Sequence, residues 1–399
     1  MDGAAAARGR GVWALALGQT LSYAALFYIF AALVRPWQQA LGWDKAAMAA
    51  GPTLALLIAA GLAPLAGRLV DRGRGPEAMV LGAALGGCAL IWLSRVEGHA
   101  AYLGAWALIG VANAAALYEV CFAFLIRRLG PHARPAIVRV TLVAGFASTL
   151  AFPAGALLEA AFGWRAAVAI AGGVMLGAVV PLHAWGGREI RRLTAAPATG
   201  PARAAGPGGF ARAMRAPGFW LLAAIFAIVG LNHWMVIAFL VPIFVEQGVA
   251  PAKAVLAAST VGPAQVAGRL VLMRLENRIG NAAATWATLG AMAVAAGVLG
   301  AIGLSPWLVF AYTVLQGAAM GVMTILRPVL IADALGPEDY GAVAGAIQMP
   351  GLVASALAPT LAALILDGAG LAGLGAASRG LSAAALIAHG LLGRRARLG

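Results

Sequence analysis

Twelve apolar runs recur along the chain, near residues 11–34, 46–66, 78–94, 101–126, 136–158, 166–185, 218–245, 251–272, 282–303, 306–331, 340–366 and 376–393. A hydrocarbon core roughly 30 Å thick is crossed by a helix of ~20 apolar residues, so these runs and their short connections use most of the chain. The last run is the shortest, because residues 368–378 are rich in glycine and Arg379 interrupts the apolar pattern. Only 11% of the residues are charged and 62% are hydrophobic, whereas soluble domains carry roughly a quarter charged residues. A soluble fold would have too little polar surface to cover itself. The expectation is an all-α membrane protein of twelve transmembrane helices, with little room for an extramembrane catalytic or nucleic-acid-binding domain.

The net charge of +14 is not gathered into a nucleic-acid-binding patch. The Lys and Arg residues stand in ones, twos and threes between the apolar runs. With the N-terminus inside, cytoplasmic segments hold 20 of these 28 residues and outer loops six, while Arg139 and Arg327 stay within spans. Basic residues are retained on the cytoplasmic side, so both termini are expected inside a bacterial inner membrane. The first run is longer than a signal-peptide core, lacks a small-residue cleavage site and is followed by more spans, so it reads as a retained helix. Cys88 and Cys121 lie in apolar runs and suggest neither a disulfide framework nor a thiolate metal site. Between the sixth and seventh runs, residues 186–216 carry Arg188, Arg191, Arg192, Arg203, Arg212 and Arg215 among Ala, Pro and Gly. This composition reads as a flexible linker. The expected organisation is a six-helix bundle over 1–186, a cytoplasmic linker over 187–216 and a second six-helix bundle over 217–399.

The two halves repeat each other. Gly67-Arg68-Leu69-Val70 at the end of span 2 recurs as Gly268-Arg269-Leu270-Val271 at the end of span 8. Leu129-Gly130-Pro131 recurs as Leu335-Gly336-Pro337, and at the same offset Gly145 matches Gly351 and Pro153 matches Pro359. A parallel six-plus-six repeat is a transporter architecture, with substrate held near the midplane between the halves.

The loop after span 2 reads Gly67-Arg68-Leu69-Val70-Asp71-Arg72-Gly73-Arg74-Gly75-Pro76. It resembles the signature of the major facilitator superfamily, Gly-x-x-x-Asp-Arg-x-Gly-Arg followed by Arg or Lys. Gly67, Asp71 and Arg72 match, while Arg74 stands in the place of the second glycine and Gly75-Pro76 in that of the basic pair. The resemblance implies two pseudo-symmetric six-helix bundles that rock about a central site, and a carrier that is not an enzyme. It also implies a gating loop in which Gly67 allows close helix packing and Asp71 pairs with a basic group or a helix N-terminus of the other half. Arg68, Arg72 and Arg74 can equally be plain positive-inside charges. In the second copy Leu272 or Met273 replaces the acid, followed by Arg274, Glu276 and Arg278. Span 5, with Gly145, Pro153 and Gly155, lacks the Gly-x-x-x-Gly-Pro spacing of proton-coupled drug exporters. The Gly-Arg-Leu-Val-Asp-Arg form of the loop is similar to that of monocarboxylate and oxalate–formate carriers.

Ionisable side chains cost ~2.5–3.5 kcal/mol each at the centre of a span and usually face a cavity or partner. Glu119, Arg139, His233 and Arg327 are candidates on that ground. Glu119 and Arg139 flank the Gly130-Pro131 turn at similar distances, so they fall at a similar depth. They form either a structural clamp or a proton-coupling pair with Glu119 as the titrating group. Tyr312, Gln316, Met320, Thr324 and Arg327 follow one another along one face of span 10. Arg327 is permanently charged and presents a fork of donors suited to a carboxylate. It is expected to bind substrate or pair with Glu119, the alternative being a packing role. Asn232 and His233 in span 7, and Gln19 and Tyr23 in span 1, complete the substrate-binding set, with Ser22, Tyr28, Asn113, Tyr118, Gln265 and Gln348 as further polar positions. In the resembling family spans 1, 4, 7 and 10 line the cavity.

Arg139 and Arg327 outnumber Glu119, so a small organic anion such as a monocarboxylate is the preferred substrate. Proton-coupled efflux of a neutral or cationic compound, with Glu119 exchanging protons, is the alternative. A third reading is a membrane sensor or scaffold that transports nothing. The sequence has no Walker loop, no dinucleotide fingerprint and no cluster with metal-ligand spacing. No cofactor or metal is expected. The expected partners are a small molecule, a coupling proton and the lipid bilayer, with no nucleic acid, and the chain is expected to be a monomer.

Overall fold

A computed structural model describes residues 9–43, 45–194, 208–275, 278–336 and 338–395. Residues 195–207 of the expected linker, Arg203 among them, lie outside the described residues. All secondary structure among the described residues is helical. Nine of these helical stretches are long and apolar enough to cross a membrane. Two of the nine, Ala133–Leu193 and Tyr340–Gly393, have twice the needed length. Each is divided by a glycine of positive φ, Gly163 at 78° and Gly370 at 62°. An L-residue is strained in that region and glycine is not. Together with the N-terminal helical run 10–41, these segments make twelve membrane helices among the described residues. They are α1 (10–41), α2 (Lys45–Asp71), α3 (Gly75–Leu93), α4 (His99–Leu129), α5 (133–163) and α6 (164–193). The second set is α7 (217–246), α8 (Pro251–Leu275), α9 (Asn281–Ala301), α10 (Leu308–Leu335), α11 (340–369) and α12 (371–395).

Two boundaries differ from the hydropathy reading. Helix α12 begins directly after Gly370, because the glycine-rich stretch is helical and Arg379 is exposed on its side. Helix α6 runs on to Leu193, so Arg188, Arg191 and Arg192 sit in its last turns. A short helix, Gly208–Arg215, then precedes α7.

The chain forms two compact units, Met1–Arg212 with Pro337–Ala346, and Ala213–Gly336 with Ile347–Gly399. The first is centred on aromatic side chains of α1, α4 and α6. Trp37 meets Tyr102, Trp106 and Trp164 edge-on at centroid distances of 6.0–6.4 Å. Gly51 leaves room for the Trp106 indole, since a Cβ there would come within 2.4 Å of the ring. In the second unit Phe244 packs edge-on against Tyr312 at 6.1 Å, within a core that includes Met235, Leu240, Val309 and Ala358.

Membrane helices associate through small residues that let backbones approach. Helix α10 does so against α8. A Cβ at Gly317 would meet the Val261 carbonyl oxygen at 2.7 Å, and one at Gly321 would meet that of Gln265 at 2.2 Å. The repeat glycines Gly130 and Gly336 both end a helix at positive φ, with amides returned to Ile126 and Ala332.

Gly321→Val should overpack the α8–α10 contact by about 1–3 kcal/mol and lower the thermal midpoint of the purified protein. Gly290→Ala, where the added Cβ meets nothing within 4 Å, should leave it unchanged or slightly raised. Equal midpoints for the two variants would refute the packing assignment.

Candidate functional site

Helix α4 is broken in mid-course. Leu117 leaves the helical region at φ −89°, ψ −166°, and a new helical segment starts at Tyr118 with Glu119 in its first turn. A break removes ladder hydrogen bonds, and lipid cannot replace them. Side chains of α1 supply partners instead. The Gln19 amide donates to the Ala116 carbonyl at 2.7 Å, and one helical turn later the Tyr23 hydroxyl is hydrogen-bonded by the Tyr118 backbone. Gln19 and Tyr23 thus straddle the break. Tyr23 also opens a π-helical segment, Tyr23–Tyr28, and its ring lies 4.4 Å from that of Tyr118.

The other end of this cluster is His183 of α6, wholly buried. Its Nε2 lies 3.4 Å from Gln19 Nε2, and its Nδ1 lies 3.4 Å from the Met79 carbonyl. With Nδ1–H donating to that carbonyl, Nε2 accepts from Gln19. Gly18 leaves the space the imidazole fills, as a Cβ there would lie 2.6 Å from the ring. Sequence reading passed over His183 because it falls near the end of an apolar run; its signal is the pairing with Gly18 and Gln19, which is not periodic. Glu119 and Arg139 are both half-buried, Glu119 on the second segment of α4 and Arg139 on α5.

In the second unit the polar residues sort into separate groups. His233 and Gln316 are both buried, with His233 Nδ1 at 3.3 Å from Gln316 Nε2. The Asn232 amide is used at both ends by α12: its nitrogen donates to Ser382 Oγ at 3.1 Å, and Ser378 Oγ donates to its oxygen at 2.7 Å. As placed, Asn232 clamps α7 to α12. Tyr312 is buried against Phe244, and the Thr324 hydroxyl donates to Met320 on its own helix at 3.0 Å. Arg327 is half-buried, with its guanidinium carbon 5.3 Å from the centre of the Phe226 ring. Pro328 follows and has no N–H for the Thr324 carbonyl. Sequence reading also missed Arg269, buried on α8, whose Nε donates to the Gly321 carbonyl at 3.3 Å.

The loop after α2 is held within the first unit. Asp71 accepts from the Gly341 and Ala342 amides, one to each carboxylate oxygen and both at 2.8 Å, at the N-terminus of α11. Gly67 is needed beside it, because a Cβ would run into the Gly341 backbone. Arg72 is exposed. Gly73 takes the positive φ of the turn, at 82°, which frees position 74 for arginine, and Gly75-Pro76 opens α3. Arg191 of α6 braces the same turn by pairing with Glu77 and donating to the Gly73 carbonyl. Asp339 accepts from the Phe210 amide at 3.0 Å, Arg212 pairs with Glu338 at 3.1 Å, and Arg68 lies 5.6 Å from the Phe210 ring. These residues read as generic loop charges in the sequence, since their partners lie far along the chain.

Asp71→Ala would leave two buried amides without acceptors, at about 1–3 kcal/mol each. The amides of Gly341 and Ala342 should then exchange with deuterium at least tenfold faster. Unchanged exchange would mean that Asp71 does not hold the start of α11.

The model of the Major Facilitator Superfamily matches residues 15–359. No sequence among the curated proteins matches the chain. Among solved structures, the crystal structure of the major facilitator transporter FucP in the outward conformation is similar, with a TM-score of 0.74 at 15% identity. The match covers 96% of this chain and 99% of that one. At that identity the likeness speaks for the fold.

Proposed function

We propose that this chain, which belongs to the major facilitator superfamily and is a multi-pass membrane transporter, carries a small organic anion such as a monocarboxylate by alternating access. The observation that carries this reading is Arg327. A guanidinium that never loses its charge sits half-buried on a membrane helix, stacked on Phe226. Its donors lie in the guanidinium plane and match a carboxylate edge. Gln316 and Thr324 stand on the same helix, and His233 adjoins Gln316. In this reading the four residues bind the anion, and the basic-residue bias sets both chain ends on the cytoplasmic side of a bacterial inner membrane. No catalytic group is required of a carrier, because its task is to expose one site to each side in turn.

The test is thermal stabilisation of purified protein by a panel of carboxylates, sugars, amino acids and organic cations. A ligand at ~100 times its Kd adds ~2.7 kcal/mol. Carboxylates should stabilise the wild type, Arg327→Ala should lose that response, and Arg327→Lys should weaken it by at least tenfold in half-saturating concentration. Stabilisation confined to cations or neutral compounds would overturn the anion reading.

Glu119 supports a second reading, proton-coupled export of a neutral or cationic compound. It lies in the first turn of the second segment of α4, next to the break, where a carboxylate can exchange protons with a water-filled path. Glu119→Gln should then abolish substrate-driven proton movement in proteoliposomes while leaving substrate exchange intact. Proton movement at the wild-type rate would remove this reading.

A further inference from the structure

The short helix Gly208–Arg215 is fastened at both ends. Toward its start, the Phe210 amide donates to Asp339 Oδ2 at 3.0 Å, and Arg212 pairs with Glu338 at 3.1 Å. The first amides of a helix have no partner within it, so Asp339 caps this one from a distant part of the chain. Gly209 makes the approach possible, because a Cβ there would run into the same carboxylate oxygen. Toward its end, the Trp220 indole donates to the Met214 carbonyl at 2.9 Å, and Ala216 alone separates the helix from α7.

Asp339 lies two residues before Gly341, whose amide, with that of Ala342, is accepted by Asp71. The turn 338–342 is therefore gripped from two sides, on its carboxylates by the short helix and on its amides by the loop after α2. Asp339 has φ 49°, a conformation that a residue other than glycine keeps only where its surroundings hold it. The two grips also share the end of α2. Gly67 packs on the Gly341 backbone, while the Arg68 guanidinium lies 5.6 Å from the Phe210 ring. All of these residues belong to the first unit. Each contact fixes the position of the others, so the two grips strengthen each other.

We infer that the helix Gly208–Arg215 is a conformational clip on the gating loop. Docked on Asp339, it holds the turn in the geometry that Asp71 captures; undocked, it lets the start of α11 leave the loop after α2. Because Trp220 and Ala216 fasten the helix to α7, the position of α7 and the capture of α11 are linked through it. The clip involves neither Arg327 nor a substrate, so it stands or falls separately from the anion reading.

The experiment is hydrogen–deuterium exchange of the purified full chain, read at the Phe210, Gly341 and Ala342 amides and across α9 as a remote reference. Gly209→Val drives Asp339 off the Phe210 amide without touching the turn or Asp71, and should speed exchange at Gly341 and Ala342 about fivefold or more. Coupling between two contacts is reciprocal, so Asp71→Ala should speed exchange at Phe210 by a similar factor. Asp339→Asn keeps an acceptor for that amide and should stay near the wild-type rates. Exchange in α9 should be unchanged in all three variants. Wild-type exchange at Gly341 and Ala342 in Gly209→Val would overturn the proposal. So would Asp71→Ala leaving Phe210 as protected as before, a Phe210 amide unprotected in the wild type, or a rise that spreads equally to α9.

Discussion

Every backbone amide and carbonyl inside a lipid bilayer has to find its partner within the protein, and the architecture of this chain follows from that demand. Regular helix meets it residue by residue, which is why all described secondary structure is helical. Irregular backbone is then informative, because each departure has to be met by a neighbour. At Leu117 the neighbours are Gln19 and Tyr23 of α1, one on each side of the break. A polar residue on α1 is therefore as much a part of α4 as its own ladder.

Close approach of helices is the second consequence. Lipid gives apolar helices no reason to prefer each other over tails, so contact surfaces have to be shaped. Gly317 and Gly321 bring α10 against the carbonyls of α8, and Gly67 brings α2 against the start of α11. In the last case the same approach delivers the α11 amides to Asp71. The repeat copy Gly268 serves differently, packing on Ala318 of α10. The repeat keeps the glycine and changes its partner.

Polar residues in the spans divide by what they touch. Asn232 spends its amide on Ser378 and Ser382, and so ties two helices of its own unit. His183 and Gln19 form a comparable tie in the first unit, yet leave one acceptor, Gln19 Oε1, over. Arg327 combines a permanent charge with partial exposure and an aromatic support. Residue type alone ranks these groups equally; only their neighbours show which of them ties two helices together.

The sequence by itself determined the membrane class, the number of helices, the repeat and the family, because hydropathy, helix length and short motifs are local along the chain. It also carried Gly67 and Asp71 as a pair, since their spacing is that of one helical turn. Tertiary structure decided the rest. Whether Asp71 met a basic group or a helix N-terminus, why arginine is tolerated at position 74, and which of Asn232, His183 and Gln19 keeps a spare acceptor all depend on residues tens to hundreds of positions away. Hydrogen bonds in a bilayer are settled between neighbouring helices, and no periodicity in one helix records what its neighbour offers.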